Sequence, residues 1–130
     1  MITQQILKIA NDTKNYGIKK KSKYIATSKN SYCGDKITVE LIFLKEKVLK
    51  MYYETESCIF CQASASLLSK SIKNLRIKDF SNNLDDIISN KKLKSFKKLF
   101  TRKYQNRIEC IKLPFNAAMK IIHKYKWKKF

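Results

Sequence analysis

The chain has 130 residues, 44% hydrophobic and 12% aromatic, with 29 Lys and Arg against 10 Asp and Glu, a formal net charge of +19. That apolar content excludes a disordered polyelectrolyte, and no apolar run approaches the ~18 residues that a membrane helix needs. Only Arg76, Arg102 and Arg107 among the basic residues are arginines, the side chain best suited to bidentate phosphate and guanine contacts, so a Lys-rich solvated surface is preferred over a nucleic-acid site.

The length suits one domain spanning residues 1–130 with a single modest core. The first stretch, "MITQQILKIANDTKNYG", has no apolar core or small-residue cleavage site of an export signal, so a cytoplasmic location is expected. Ile2, Ile6 and Ile9 recur at helical spacing over residues 2–10 and predict a first helix. After a basic connector, "KYIATSKN" (23–30) reads as a short strand and "SYCGD" as a turn. In "KITVELIFL" (36–44) Ile37, Val39, Leu41 and Phe43 alternate against Thr38 and Glu40, the period of a half-buried strand. "KEK" makes a tight connection, and "VLKMYYETE" (48–56) completes a three-stranded antiparallel meander.

From residue 58 the texture becomes helical. "CIFCQASASLLSKSIKNL" sets Ile59, Ala63, Leu67 and Leu68 on one stripe. Asp79 or Ser81 is placed to cap "FSNNLDDIISN", and Leu93, Phe96, Leu99 and Phe100 form the buried stripe of the Lys-rich segment 91–104. Pro114 stands where a last helix would start. Strands first and helices afterwards predict an α+β domain of two layers, a three-stranded antiparallel sheet packed on one side by helices.

Four cysteines, Cys33, Cys58, Cys61 and Cys110, need an account, and in a cytoplasmic chain a metal or reactive-thiol role is a better default than disulfides. In extended backbone, residues i and i+2 point the same way, so Cys33 and Asp35 face one spot, with Gly34 letting the chain bend between them. Cys58 begins a predicted helix and Cys110 lies about a turn before another, positions that favour thiolate. Three thiolates and a carboxylate make a tetrahedral zinc set, and cysteine-rich sites also hold iron–sulfur clusters. The hard oxygen of Asp35 is a weak match for thiophilic iron, which would leave such a site exchangeable. Cys61 reads as a small buried hydrophobe beside Ile59 and Ala63. The pair Cys58 and Cys61 spells C-x-x-C but follows an antiparallel strand rather than a βαβ unit, against a thioredoxin-like role. His123, the single histidine, reads as half-exposed filler on a helix. No Ser–His–Asp arrangement can be assembled, and the residues alone lead as far as a thiolate metal site.

The order of "CGD", then "CIFCQASAS" 25 residues after Cys33, then "RIECIKLPFNA" resembles the SufU/IscU-type iron–sulfur cluster assembly proteins, which share the N-terminal domain of NifU. The likeness covers about residues 14–125, falling on Asn30 to Asp35, Ser57 to Ser66 and Arg107 to Pro114. It implies that Cys33, Asp35, Cys58 and Cys110 are ligands of zinc or of a transient 2Fe–2S cluster. Cys33 and Cys110 would be the candidate acceptors of persulfide sulfur, with Arg107 in a supporting position. It implies as partners a pyridoxal-phosphate-dependent cysteine desulfurase of the SufS/IscS kind and apo-proteins that receive clusters, and a scaffold rather than an enzyme acting on a free small molecule. The stretch between the Ala-Ser-Ala-Ser motif and Cys110 is longer than in IscU and shorter than in typical SufU. With Arg107 and the lack of an LPPVK-like chaperone motif, this favours the SufU-like branch.

The sequence departs from the family pattern in places. Ser31 and Ser57 replace a proline and a glycine, which is expected to loosen two loops. Thr13 to Gly17 stands where the family has Pro-Arg-Asn-x-Gly, without the nearby histidine. Glu109 precedes Cys110 and is expected to raise its pKa. The competing reading from another class is a small zinc-stabilised basic nucleic-acid-binding module, and a third is a dithiol redox protein dependent on Cys61.

Overall fold

A computed structural model of the chain describes residues 4–19, 21–30, 34–80 and 102–129. The predicted cap at Ser81 and the stripe of Leu93, Phe96, Leu99 and Phe100 lie outside the described residues, as does Cys33.

Helix α1 (Gln4–Ala10) buries Ile6 and Ala10. Strands β1 (Ile25–Lys29), β2 (Lys36–Leu44) and β3 (Lys47–Glu56) form one antiparallel sheet in the order β1-β2-β3. Ala26 pairs with Val39, and Val39 with Tyr53; Leu41 pairs with Met51. Val39, Leu41, Met51 and Tyr53 are all buried, so the register lines up the apolar members of each strand on the covered face. The two-residue turn at Lys45 and Glu46 carries Lys45 at φ 56°, and a bulge between Ile42 and Phe43 absorbs the odd residue.

Helix α2 (Ile59–Ser71) packs on β3 and against α1. The last helix, here α3 (Ile108–Lys129), lies across β1 and β2 and beside α2. Short 3-10 turns at Ile77–Asp79 and Arg102–Arg107 flank the undescribed segment. The helices cover one face of the three-stranded sheet, which is the expected two-layer α+β arrangement.

Two expectations are corrected. Pro114 does not start the last helix, which begins at Ile108 and runs through it. A proline inside a helix withholds the N–H due to the carbonyl four residues earlier, here that of Cys110. The next carbonyl, of Ile111, accepts a 2.6 Å hydrogen bond from the buried Ser64 hydroxyl of α2. Burial of Leu113, Phe115, Ala117 and Ala118 around the proline supplies the packing that keeps the helix continuous. Glu40 is not on a wet face either, being 0% exposed. The connector before β1 runs over the outer side of the sheet and places the Ser22 N–H 2.6 Å from Glu40 Oε2.

The serines of α2 have separate tasks. Ser64 reaches α3, Ser66 donates to the carbonyl of Asp12 at 3.0 Å, and Ser69 donates to the carbonyl of Ser66 at 2.8 Å. With Ala63 and Ala65 at 0% exposure, small side chains let α2 approach both neighbouring helices closely while their hydroxyls satisfy backbone carbonyls. Tyr16 forms a parallel bridge to Tyr53 and covers the free edge of β3, with their rings edge to face at 5.3 Å.

Candidate metal centre

The loop leading into β2 closes on itself. The Asn30 N–H donates to the Asp35 carbonyl at 2.8 Å, and the Gly34 N–H donates to the Asn30 carbonyl at 2.9 Å. Gly34 has φ 74°, in the left-handed region, and an added Cβ there would meet nothing within 4 Å. Glycine is therefore required by conformation and not by space. A Gly34→Ala exchange is expected to cost about 1–2 kcal/mol in urea denaturation with the fold retained.

This turn delivers Asp35 into the interior, 6% exposed. Its Oδ1 accepts the backbone N–H of Cys58 at 3.1 Å. Cys58 is the N-cap residue of α2, with extended backbone at φ −70° and ψ 167° and no side-chain cap. Asp35 thus serves one of the N–H groups at the start of that helix. Asp35 Oδ2 is buried and has no hydrogen-bond partner among the described residues.

Cys110 sits in the first turn of α3 and is buried. One ligand atom each from Asp35, Cys58 and Cys110 lies within 4.8 Å of the others. Ligands about 2.0–2.3 Å from a tetrahedral zinc ion stand a little closer together than this limit, so the trio fits around one cation. The three residues come from the β1–β2 turn, the cap of α2 and the start of α3, so the site ties together elements far apart in sequence.

In the metal-free chain, burial acts against the thiolate that a helix N-terminus would favour at Cys110. Burial pushes its thiol well above the ordinary range, and the Asp35 carboxyl and the Cys58 thiol beside it act in the same direction. Glu109 is not among these causes; it is exposed and points to Lys112 at 3.9 Å. Cys61 is 0% exposed, outside the three-atom cluster, and its thiol is pushed up to about 12, chiefly by burial. It is the small hydrophobe that its neighbours in sequence predict. His123 lies on the exposed side of α3 and takes no part in the cluster.

Arg107, the last residue before α3, is exposed and holds its guanidinium carbon 5.6 Å from the centroid of the Phe60 ring, two residues after Cys58. The pairing keeps a cation beside the start of α2. Behind the cluster is a polar shelf the sequence did not reveal. Thr55 Oγ1 donates to the Lys36 carbonyl at 2.7 Å and lies 2.6 Å from Ser57 Oγ, so Ser57 is pinned where a loosened loop was expected. The available signal was register: pairing Ile37 with Thr55 brings the end of β3 beside Lys36.

A family model described as NifU-like N terminal domain matches residues 1–130. No curated protein matches the sequence significantly. In structure the chain is similar to the N-terminal part of a nitrogen-fixing NifU-like protein from Brucella abortus, at 20% identity, over 94% of this chain and 94% of that one, with a TM-score of 0.79. It is also similar to a protein described as an iron–sulfur cluster assembly scaffold for the SUF system from thermophilic Fervidobacterium islandicum. There the identity is 19%, over 93% of this chain and 96% of that one, with a TM-score of 0.74. At these identities the structural likeness concerns the fold.

Proposed function

Because the chain belongs to the NifU-like N-terminal domain family, we propose that it is an iron–sulfur cluster assembly scaffold of the SufU-like kind, with Cys33, Asp35, Cys58 and Cys110 as its metal ligands. The observation that carries the reading is the buried Asp35 carboxylate, whose Oδ2 has no hydrogen-bond partner by geometry among the described residues, gathered with the thiols of Cys58 and Cys110. A buried acceptor left unsatisfied costs about 1–3 kcal/mol, which a bound cation would offset. Cys33, two residues before Asp35 in the sequence, would complete the set of four. Three thiolates and a carboxylate exceed the charge of a divalent ion, and the guanidinium of Arg107 would moderate that excess.

Zinc bound here would hold the thiolates deprotonated. The residues themselves then do two things. Asp35 keeps its Oδ1 on the Cys58 N–H and turns Oδ2 inward, fixing the cap of α2 against the site. Cys33 or Cys110, as thiolate, attacks the outer sulfur of a persulfide carried by a pyridoxal-phosphate-dependent cysteine desulfurase. The sulfur–sulfur bond of that persulfide breaks, the desulfurase cysteine leaves as thiolate, and a new persulfide remains on the scaffold. Iron and sulfide are cargo, and a 2Fe–2S cluster assembled on these ligands would pass to apo-proteins, the oxygen ligand making it easier to release. A reducing compartment such as the cytoplasm would keep Cys58, Cys61 and Cys110 as the free thiols they are among the described residues.

Anaerobic purification with zinc, iron and sulfide analysis, followed by incubation with the cognate desulfurase and cysteine, tests the proposal. Bound metal near one ion per chain and a persulfide on Cys33 or Cys110 are expected. A chain without metal that neither accepts sulfur nor accelerates its release overturns the reading.

A further inference from the structure

Far along β3 and α2 from the thiols, Lys14, Lys50, Lys70 and Lys73 line a single cavity of about 360 Å3, together with Asn15 and Ser69. Lys50 lies six residues before the end of β3, roughly 20 Å along the strand from the side where Cys58 follows. The lysines come from three segments: the connector after α1, the strand β3 and the C-terminal end of α2. A helix C-terminus favours basic neighbours, which accounts for Lys70 and Lys73. It does not account for Lys14 and Lys50.

Charge balance sharpens the point. Asp12 pairs with Lys70, whose hydrogen bond holds the Asp12 carboxyl below the usual carboxylate range. Asp12 also accepts the Lys14 backbone N–H at 3.3 Å, so it lies near Lys14 too; among the described residues no carboxylate lines the cavity, and none makes an ion pair with Lys50 or Lys73. Apart from Met51, the cavity is lined by polar side chains. Asn15 Nδ2 donates to Ser69 Oγ at 3.1 Å, and the buried Ser69 hydroxyl donates onward to the Ser66 carbonyl.

We propose that this cavity binds a short polyphosphate chain, either inorganic or the phosphate tail of a nucleotide. Ammonium groups act as point charges and suit several phosphate oxygens presented close together. The volume is at the small end of the roughly 300–1,000 Å3 of small-molecule sites. Among the described residues no aromatic ring lines the cavity, so a nucleobase would find no stacking surface and the phosphates carry the recognition. The site is independent of the thiol centre and does not need the scaffold reading to be right.

The test is calorimetric titration of the full chain with tripolyphosphate at fixed ionic strength near ~0.15 M, where long-range attraction between exposed charges is largely screened. Saturable binding is expected, at least about tenfold weaker in the K50A/K73A double variant and unchanged in K78A/K126A, which removes equal charge elsewhere. Lys50 and Lys73 are exposed, so the double variant should fold, and its circular dichroism verifies this. Equal affinity for ATP and tripolyphosphate identifies the inorganic chain as sufficient, and clearly tighter ATP binding identifies the nucleotide as the source. Absence of saturable binding, equal weakening in both double variants, or displacement of tripolyphosphate by duplex DNA at equal phosphate concentration overturns the proposal in favour of diffuse charge.

Discussion

Asp35→Asn is expected to leave the metal-free chain as stable as the parent, or about 1 kcal/mol more stable, while weakening zinc binding by at least about tenfold. Asparagine keeps an oxygen for the Cys58 N–H, now accepted by Asp35 Oδ1 at 3.1 Å. What it removes is a carboxylate oxygen that is buried without a partner. If Asp35 were only a cap, asparagine would serve the Cys58 N–H about equally well and metal affinity would be untouched. Cys110→Ala should cost far more affinity. If a structural zinc site is worth about 10–16 kcal/mol over four ligands, losing one thiolate weakens binding by roughly two to three orders of magnitude. Competition titration against a zinc chelator, with urea denaturation in EDTA, measures both quantities on the same samples. An Asp35→Asn chain that binds zinc as tightly as the parent would remove Asp35 from the ligand set.

This result would rest on a part of the site that the sequence could suggest but not place. The spacing of Asp35 after Gly34 announced a turn, and the left-handed Gly34 bears that out. Nothing in spacing alone could bring Cys58 and Cys110 to Asp35, since their approach depends on α3 crossing β1 and β2 while α2 packs on β3. The strand β2 was legible to the residue, because burial on one face of a sheet writes a period of two into the chain. The same period misassigned Glu40, as alternation reports which side of a strand a residue faces and not what later covers that side. Pro114 misled for a related reason. A proline starts helices readily because its missing N–H is harmless there, yet tertiary packing around Phe115 holds this one inside a helix. Cys110 shows the limit of dipole arguments: expected a turn ahead of a helix starting at Pro114, it lies inside the first turn of α3, and burial there acts against the thiolate.

Phe115→Ala is expected to destabilise the metal-free chain by about 3–5 kcal/mol, a large part of the roughly 5–15 kcal/mol that holds a domain of this size together. Phe115 is 1% exposed and follows Pro114, at the place where α3 lacks one of its own hydrogen bonds. Its ring is among the largest fully buried side chains, so its loss leaves a cavity beside the Pro114 break in α3. A metal bound by Cys58 and Cys110 would offset part of the lost stability, because those ligands join the start of α2 to the first turn of α3. Binding to the folded state alone at a hundredfold excess over Kd restores about 2.7 kcal/mol. The variant should therefore melt some 10 °C or more below the parent in EDTA, at roughly 2–8 °C per kcal/mol, and zinc should raise both melting temperatures, bringing the variant towards the metal-free parent. Thermal melts of parent and variant with and without zinc decide the matter. A variant that zinc leaves as unstable as before would mean that the two thiols do not share an ion, whatever their spacing in the folded chain.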